Sequence, residues 1–229
     1  MKTLGLIGGL SWESTALYYE YINKEINKNL GKLHSAKIVL ISVDLEEIVS
    51  LQSTNEWDKA GEILADAAIS LEKAGADIIL LCANTMHKVA QNILKVIHIP
   101  FLHITEPTIK RIKENRINKI GILSTKFTME EAFYRKFYTE QDIEVVTPDK
   151  VDIEIIHEII YTELCKGVIT ERSKKEIIRI INRLNNLGAQ AIILACTEIS
   201  LLINQNDTDI LIIDTLKEHA LAAANASLT

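Results

Sequence analysis

Two stretches of this sequence are near copies of one another. The first runs Gly75-Ala76-Asp77-Ile78-Ile79-Leu80-Leu81-Cys82-Ala83-Asn84-Thr85, and the second Gly188-Ala189-Gln190-Ala191-Ile192-Ile193-Leu194-Ala195-Cys196-Thr197-Glu198. Each follows a helical pattern, crosses a continuous apolar run, and breaks into small polar residues around a cysteine. An apolar run of this length bounded by glycine and polar residues reads as a strand buried on both faces. The polar residues then fall at the carboxyl end of the strand, where open α/β sheets place their ligands. An earlier pair, Leu4-Gly5-Leu6-Ile7 and Ile120-Gly121-Ile122-Leu123, repeats at a separation of 116 residues, close to the 113 that separates the cysteine strands.

The remaining pattern alternates strands with helices. Strands are expected at 4–7, 36–43, 77–81, 99–104, 119–123, 144–147, 191–195 and 210–213. Helices are expected from Ser11 or Ser14 onward, then at 56–74, 88–97, from 105, and at 129–138, 152–164, 173–187 and 216–224. Such alternation argues for parallel sheets with helical faces. The fold class is α/β, with two similar Rossmann-like lobes related by a pseudo-twofold and an active site between them. The first lobe is 1–105 with the C-terminal helix, about 216–229, returning to it; the second is 106–215. A single doubly wound sheet whose buried strands merely look alike is the alternative.

Bulk properties narrow the partners. Of 229 residues, 48% are hydrophobic but only 5% aromatic, so the core must be aliphatic. A net charge of −6 gives no electrostatic reason to expect nucleic acid or an anionic membrane. No apolar run reaches the roughly 18 residues of a membrane span, and the N-terminus enters a strand without signal-peptide design. Three widely spaced cysteines make no disulfide framework and no metal-ligand spacing, so a reduced cytoplasmic setting without metal is expected.

Thiols at strand ends suit removal of a proton from carbon on one face and its return on the other. A thiol of ordinary pKa, about 8.5, can be brought toward working pH by its surroundings. Hydroxyls and backbone N–H groups after each cysteine could hold a carboxylate. The opening Gly5-Leu6-Ile7-Gly8-Gly9-Leu10 invites a dinucleotide reading with Asp44 as the ribose acid, but it is not Gly-x-Gly-x-x-Gly and is weak evidence. Cys165 reads as helix packing. Trp12 reads as pocket wall or hydrophobic staple, and His87 as either a site residue or a local hydrogen-bonding group.

The segments Gly8-Gly9-Leu10-Ser11-Trp12-Glu13-Ser14-Thr15, Asn84-Thr85-Met86-His87-Lys88, Glu163-Leu164-Cys165-Lys166-Gly167 and Cys196-Thr197-Glu198 resemble, in this order, the aspartate/glutamate racemase family of the wider Asp/Glu/hydantoin racemase superfamily. The Cys-Thr-Glu form points to the aspartate branch. The resemblance implies racemisation of an acidic amino acid at Cα without PLP or other cofactor, usually in a homodimer. It makes Cys196 one acid/base and assigns Asn84, Thr85 and Thr197 to the α-carboxylate and amine of the substrate. Leu10, Gln52 and Thr125 line the pocket, Lys166 meets the side-chain carboxylate, and Glu198 is either a substrate contact or a helix cap.

One departure stands out. The family writes its first thiol directly before Asn-Thr, and this chain has Ala83 there, with Cys82 one residue earlier. At the 113-residue separation Cys196 pairs with Ala83, and Cys82 with Ala195. Successive strand side chains point to opposite faces, so Ala83 is expected toward the site and Cys82 into packing. Entry of Cys82 through a strand-end bulge, or service of the second face by water or Glu198, are the other possibilities. Two functions therefore stand: a racemase of aspartate or glutamate with one thiol, or an impaired paralogue that binds an acidic amino acid.

Overall fold

The computed structural model describes residues 1–229. In chain order the elements are β1 (Leu4–Gly8), α1 (Trp12–Leu30), β2 (Ile38–Ser42), α2 (Leu45–Ser53), α3 (Trp57–Lys73), β3 (Ile78–Leu81), a 3-10 turn (Thr85–Val89), α4 (Ala90–Leu94), β4 (Phe101–Leu102) and α5 (Thr105–Glu114). There follow β5 (Lys119–Leu123), α6 (Lys126–Glu130), α7 (Ala132–Thr139), β6 (Glu144–Val146), α8 (Lys150–Thr162), a 3-10 turn (Leu164–Lys166), α9 (Glu171–Asn186), β7 (Ala191–Leu194), α10 (Ile199–Leu202), a 3-10 turn (Gln205–Asp207), β8 (Leu211–Asp214) and α11 (Thr215–Leu228). The chain divides into two compact units, Met1–Glu106 with Leu216–Thr229, and Pro107–Thr215.

Each unit holds its own four-stranded sheet, ordered β2-β1-β3-β4 in the first and β6-β5-β7-β8 in the second, with every pairing parallel. A single doubly wound sheet is thereby ruled out. Register repeats as well: Leu4 pairs with Ile78 and Ile7 with Leu81, while Ile120 pairs with Ala191 and Leu123 with Leu194.

The duplication extends to the devices that set this register. Gly75 and Gly188 end the helices before β3 and β7 at φ 88° and 92°, a left-handed conformation that costs glycine nothing. Two residues on, the Asp77 N–H donates to the Thr3 carbonyl at 2.8 Å and the Thr3 N–H to Asp77 Oδ2 at 2.7 Å. Gln190 does the same for Lys119, donating to its carbonyl at 2.9 Å and accepting its N–H on Oε1 at 3.2 Å. Gly5 and Gly121 sit under α3 and α9, where an added β-carbon would come within 2.8 Å of Ala76 Cβ and 2.7 Å of Ile192 Cδ1 respectively.

Alternation along the strands sorts the aliphatic residues onto two faces of each sheet. In the first unit Ile7, Ile79, Leu81 and Ala83 pack with α2 and α3 residues, whereas Leu4, Leu6, Ile78, Leu80 and Cys82 pack with Tyr18 and Ile22 of α1 and Leu216 and Ala220 of α11. In the second, Leu123, Ile192, Leu194 and Cys196 pack with α8 and α9, and Ile120, Ile122, Ala191, Ile193 and Ala195 pack with Ile112 of α5 and Tyr134 of α7. No helix is long and apolar enough to cross a membrane.

Several local expectations change. Asp44 is the N-cap of α2, its Oδ1 accepting the Glu46 N–H at 3.0 Å, so the carboxylate considered for a ribose serves the backbone instead. The stretch expected as one helix over 129–138 is two, broken where Glu131 turns extended at ψ 140°. The helix expected at 88–97 begins as the 3-10 turn and ends at Leu94, and the strand expected over 99–104 pairs only at Phe101–Leu102.

Candidate active site

The chemistry-bearing residues gather at the carboxyl ends of the central strands, one group in each unit. In the first unit the turn after β1 is set by Gly9, at φ 81°, whose added β-carbon would overlap the Val43 carbonyl oxygen at the end of β2. Its N–H donates to Thr15 Oγ1 at 2.9 Å, and that hydroxyl donates to the Ser11 carbonyl at 2.9 Å. Ser11 accepts the Ser14 N–H on Oγ as N-cap of α1, and does so at φ 146°, a costly region for a residue with a side chain. Leu10 is buried behind this turn with Ile48 and Ala83. Trp12 is 70% exposed, so it neither staples the helix nor packs against the turn.

At the end of β3, Ala83 and Asn84 are buried and Thr85 half-buried. Gln52, delivered by α2, is buried with its Nε2 2.9 Å from Met86 Sδ, which places it beside the turn that Asn84 opens. His87 ties the strand end down. Its Nδ1–H donates to the Ala83 carbonyl at 2.7 Å, and Nε2 accepts the Ile104 N–H at 3.2 Å. Burial, then the neighbouring His103 and His219, hold His87 well below the ordinary histidine pKa, so it stays neutral. It is a positioning group for the Ala83 backbone. Lys88 stacks its ammonium 3.8 Å from the Trp57 ring centroid.

Cys82 lies on the other face. It is fully buried among aliphatic residues of α1, α11 and the sheet, its N–H donates to the Ile7 carbonyl at 2.9 Å, and burial drives its thiol far above the usual value. The strand end is regular, without a bulge that would turn this thiol toward the face of Ala83. Ala195, its counterpart, makes the matching bond to the Leu123 carbonyl at 2.8 Å.

In the second unit Cys196, Thr197 and Glu198 are all buried. Cys196 Sγ–H donates to Glu198 Oε2 at 2.9 Å and Thr197 Oγ1–H donates to the same oxygen at 3.0 Å. Burial, followed by the charge of Glu198 and this hydrogen bond, pushes the Cys196 thiol well above its ordinary pKa; the Glu198 backbone N–H acts in the opposite sense. Tyr161 of α8 belongs to the same neighbourhood: burial and then Cys196, Cys165 and Glu198 raise its hydroxyl. Thr125, two residues past β5, is the N-cap residue of α6, buried with Oγ1 3.3 Å from Thr128 Oγ1. Lys166 closes its 3-10 turn before Gly167, at φ 70°, and its side chain is exposed, while Cys165 packs half-buried against the core. The Glu198 carboxylate on the thiol, and Tyr161 beside it, were not read from the sequence in these roles; the only cue was an acid two residues after a strand-end cysteine.

Comparison with known proteins identifies the family. Residues 7–223 match the family described as Asp/Glu/Hydantoin racemase. A Yersinia pestis protein, solved as a candidate Asp/Glu racemase, is 50% identical with a TM-score of 0.93, covering 100% of both chains. The structure of an aspartate racemase homologue from Pyrococcus horikoshii OT3 is 32% identical over 100% of both chains, with a TM-score of 0.86. The broad specificity amino-acid racemase RacX of Bacillus subtilis (strain 168) is 28% identical over 160 residues, 70% of this chain and 69% of that protein. With the family match spanning nearly its whole length, this chain belongs to the Asp/Glu/hydantoin racemases.

Proposed function

We propose that this protein acts on the Cα–H of aspartate or glutamate without PLP, with Cys196 as its one acid/base thiol. The observation that carries the reading is the placement of Cys196. It is buried at the end of a central strand, on the face equivalent to that of Ala83, and hydrogen-bonded to a carboxylate that can share its proton. Thr197, Asn84 and Thr85 are assigned to the α-carboxylate and amine, and Lys166 to the side-chain carboxylate, which would favour a dicarboxylic substrate. Leu10, Gln52 and Thr125 complete the lining.

In the family pattern the position of Ala83 carries the first thiol. Alanine neither gives nor takes a proton, so removal and return of the α-proton by Cys196 should outrun inversion. The same observation favours a second reading, a binder of acidic amino acids that turns over slowly or not at all. Incubation with L-Asp, D-Asp, L-Glu and D-Glu in deuterium oxide, followed by proton NMR at Cα, separates the two. Deuterium uptake by at least one of them, abolished by Cys196→Ser, is the expected result. Binding without uptake would replace the catalytic reading by the binder, and neither binding nor uptake by the folded protein would overturn both.

A further inference from the structure

Resting on the reading of Asn84 and Thr85 as substrate ligands, we propose that His219 of α11, fixed by Tyr18 of α1, is a positioning residue for them and acts through His87. What holds the chain where β4 stops is the starting point. That strand pairs with β3 only at Phe101–Leu102, so the residues after it leave the sheet at once. His219 Nε2–H donates to the Leu102 carbonyl at 2.9 Å, and Nδ1 of the same ring accepts the Tyr18 hydroxyl at 2.8 Å. Two residues on, the Ile104 N–H donates to His87 Nε2 at 3.2 Å, and His87 Nδ1–H donates to the Ala83 carbonyl at 2.7 Å. A carbonyl can only accept, so each neutral ring is locked as one tautomer: His219 carries its proton on Nε2 and His87 on Nδ1.

The relay ends on one peptide plane. The Ala83–Asn84 peptide is planar and trans, so holding its carbonyl toward His87 also fixes the direction of the Asn84 N–H. Ligands held in this way meet the substrate α-carboxylate without reorganising, and charge grows on that carboxylate as the Cα–H bond breaks. The duplicated architecture supplies an internal control. At the 113-residue separation the counterpart of His87 is Ser200, whose buried Oγ makes no hydrogen bond. The second unit reaches the same strand order and register with no imidazole at that position. The scaffold therefore does not demand one. Where packing alone is at stake an aliphatic side chain serves, with no buried polar group to satisfy.

The test reads the relay at both ends. Long-range proton–nitrogen NMR of the imidazole rings reports their tautomers, and Cα–H exchange in deuterium oxide gives kcat and KM with the best of the four amino acids. His219→Leu should shift the His87 ring nitrogens and the Ile104 amide. It should also raise KM and lower kcat/KM by about 10- to 100-fold, the scale on which a remote misplacement acts. His219→Gln, whose side-chain amide can still donate to the Leu102 carbonyl, should recover most of that loss. His87→Leu should lose at least as much as His219→Leu, and the double variant no more than His87→Leu, because the two lie on one path. Additive losses with unmoved His87 signals would mean that His219 only packs α11 against the sheet. A His219→Gln no better than His219→Leu would mean the same, and either result overturns the proposal. Should the wild type exchange none of the four amino acids, the reading of function fails, yet the His87 ring signals in His219→Leu still decide whether the relay exists. Should His219→Leu fail to fold, Tyr18→Phe, which removes only the hydroxyl on His219 Nδ1, carries both readouts, and unmoved ring signals in it overturn the proposal.

Discussion

As far as the ends of β3 and β7 the two units follow one plan, with helices of different number and length between the strands. They share strand order, register, the left-handed glycine before the central strand, the residue that clasps the first strand, and the glycine beneath the helix. Past those points they part. The first unit continues into Ala83-Asn84-Thr85, anchored by a neutral histidine, and its β1 turn is a glycine pressed against β2. The second continues into Cys196-Thr197-Glu198, an ionisable thiol on a carboxylate, and its β5 turn starts a helix through Thr125 at an ordinary φ of −63°. Repetition here governs the scaffold, which must bury the same aliphatic surface twice. The loops beyond the strands carry little of that burial and are free to differ in chemistry.

That contrast can be broken most forcefully by making the loops alike. Ala83→Cys should raise the inversion rate by about 10²-fold or more, the usual size of a general acid/base contribution, in a variant whose unfolding midpoint stays near the wild type. Cys82→Ser, one residue away but on the other face, should leave Cα–H exchange within a few-fold. Chiral chromatography of product for the first, and NMR exchange for the second, check the pair. An Ala83→Cys enzyme no faster at inversion would place residue 83 outside the chemistry.

Next in size is the difference between the two turns. Gly9→Ala adds a β-carbon against a backbone carbonyl at positive φ and should cost about 3 kcal/mol or more in urea unfolding. Thr125→Ala, at the corresponding turn of the second unit, should cost no more than about 1 kcal/mol.

Acid should also separate the units. His87, His103 and His219 lie together in the first unit, with ring centroids 4.3 Å apart for His87 and His103 and 6.3 Å for His87 and His219. His219 donates from Nε2 to the Leu102 carbonyl at 2.9 Å and accepts the Tyr18 hydroxyl on Nδ1 at 2.8 Å. Burial lowers His103 to about 4 and His219 to about 3, and His87 well below its usual value. Depressed folded-state values mean that the unfolded chain binds more protons, so this stability is complete above about pH 6.5 and is lost as pH falls toward 4 and below. The second unit has only the partly buried His157 to set against them. Hydrogen exchange between pH 7 and pH 4 should show α1, β4 and α11 opening ahead of β5 and β7, by on the order of a few kcal/mol; equal loss of protection would contradict this.

The smallest effect belongs to an ion-pair lock peculiar to the second unit. Asp152 of α8, its side chain 3% exposed, accepts Arg179 at 2.6 Å and Arg183 at 3.0 Å from α9. Because both arginines are half in solvent, Asp152→Asn should cost only about 1 kcal/mol, with less difference from wild type at high salt. Thermal unfolding at two ionic strengths measures it.

The scaffold was largely legible from sequence because it rests on features that sequence displays: apolar runs closed by Gly75 and Gly188, and a doubled pattern that fixes which strands correspond. That doubling also made Ala83 the positional counterpart of Cys196 and sent Cys82 into the core, since faces alternate along a strand. Helix α2 lies outside the expected pattern, although Asp44 before Leu-Glu-Glu is an N-cap signal. The break at Glu131 and the strain at Ser11 come from how the chain must turn after β5 and β1, which no local pattern announces. The Cys196–Glu198 bond escaped because strand alternation says nothing once the strand has ended. There the chain curls, and residues two apart can meet.

The account turns on a single working thiol, and the partition of label in wild-type protein tests that most directly. L- and D-aspartate and L- and D-glutamate are each incubated in deuterium oxide, and deuterium at Cα is quantified separately in the retained and inverted enantiomers at early times. The account predicts one preferred enantiomer that gains deuterium with retention at least tenfold faster than it inverts, with both processes lost in Cys196→Ser. Inversion as fast as exchange, from both enantiomers, would mean that a second proton donor is already in place and would contradict it.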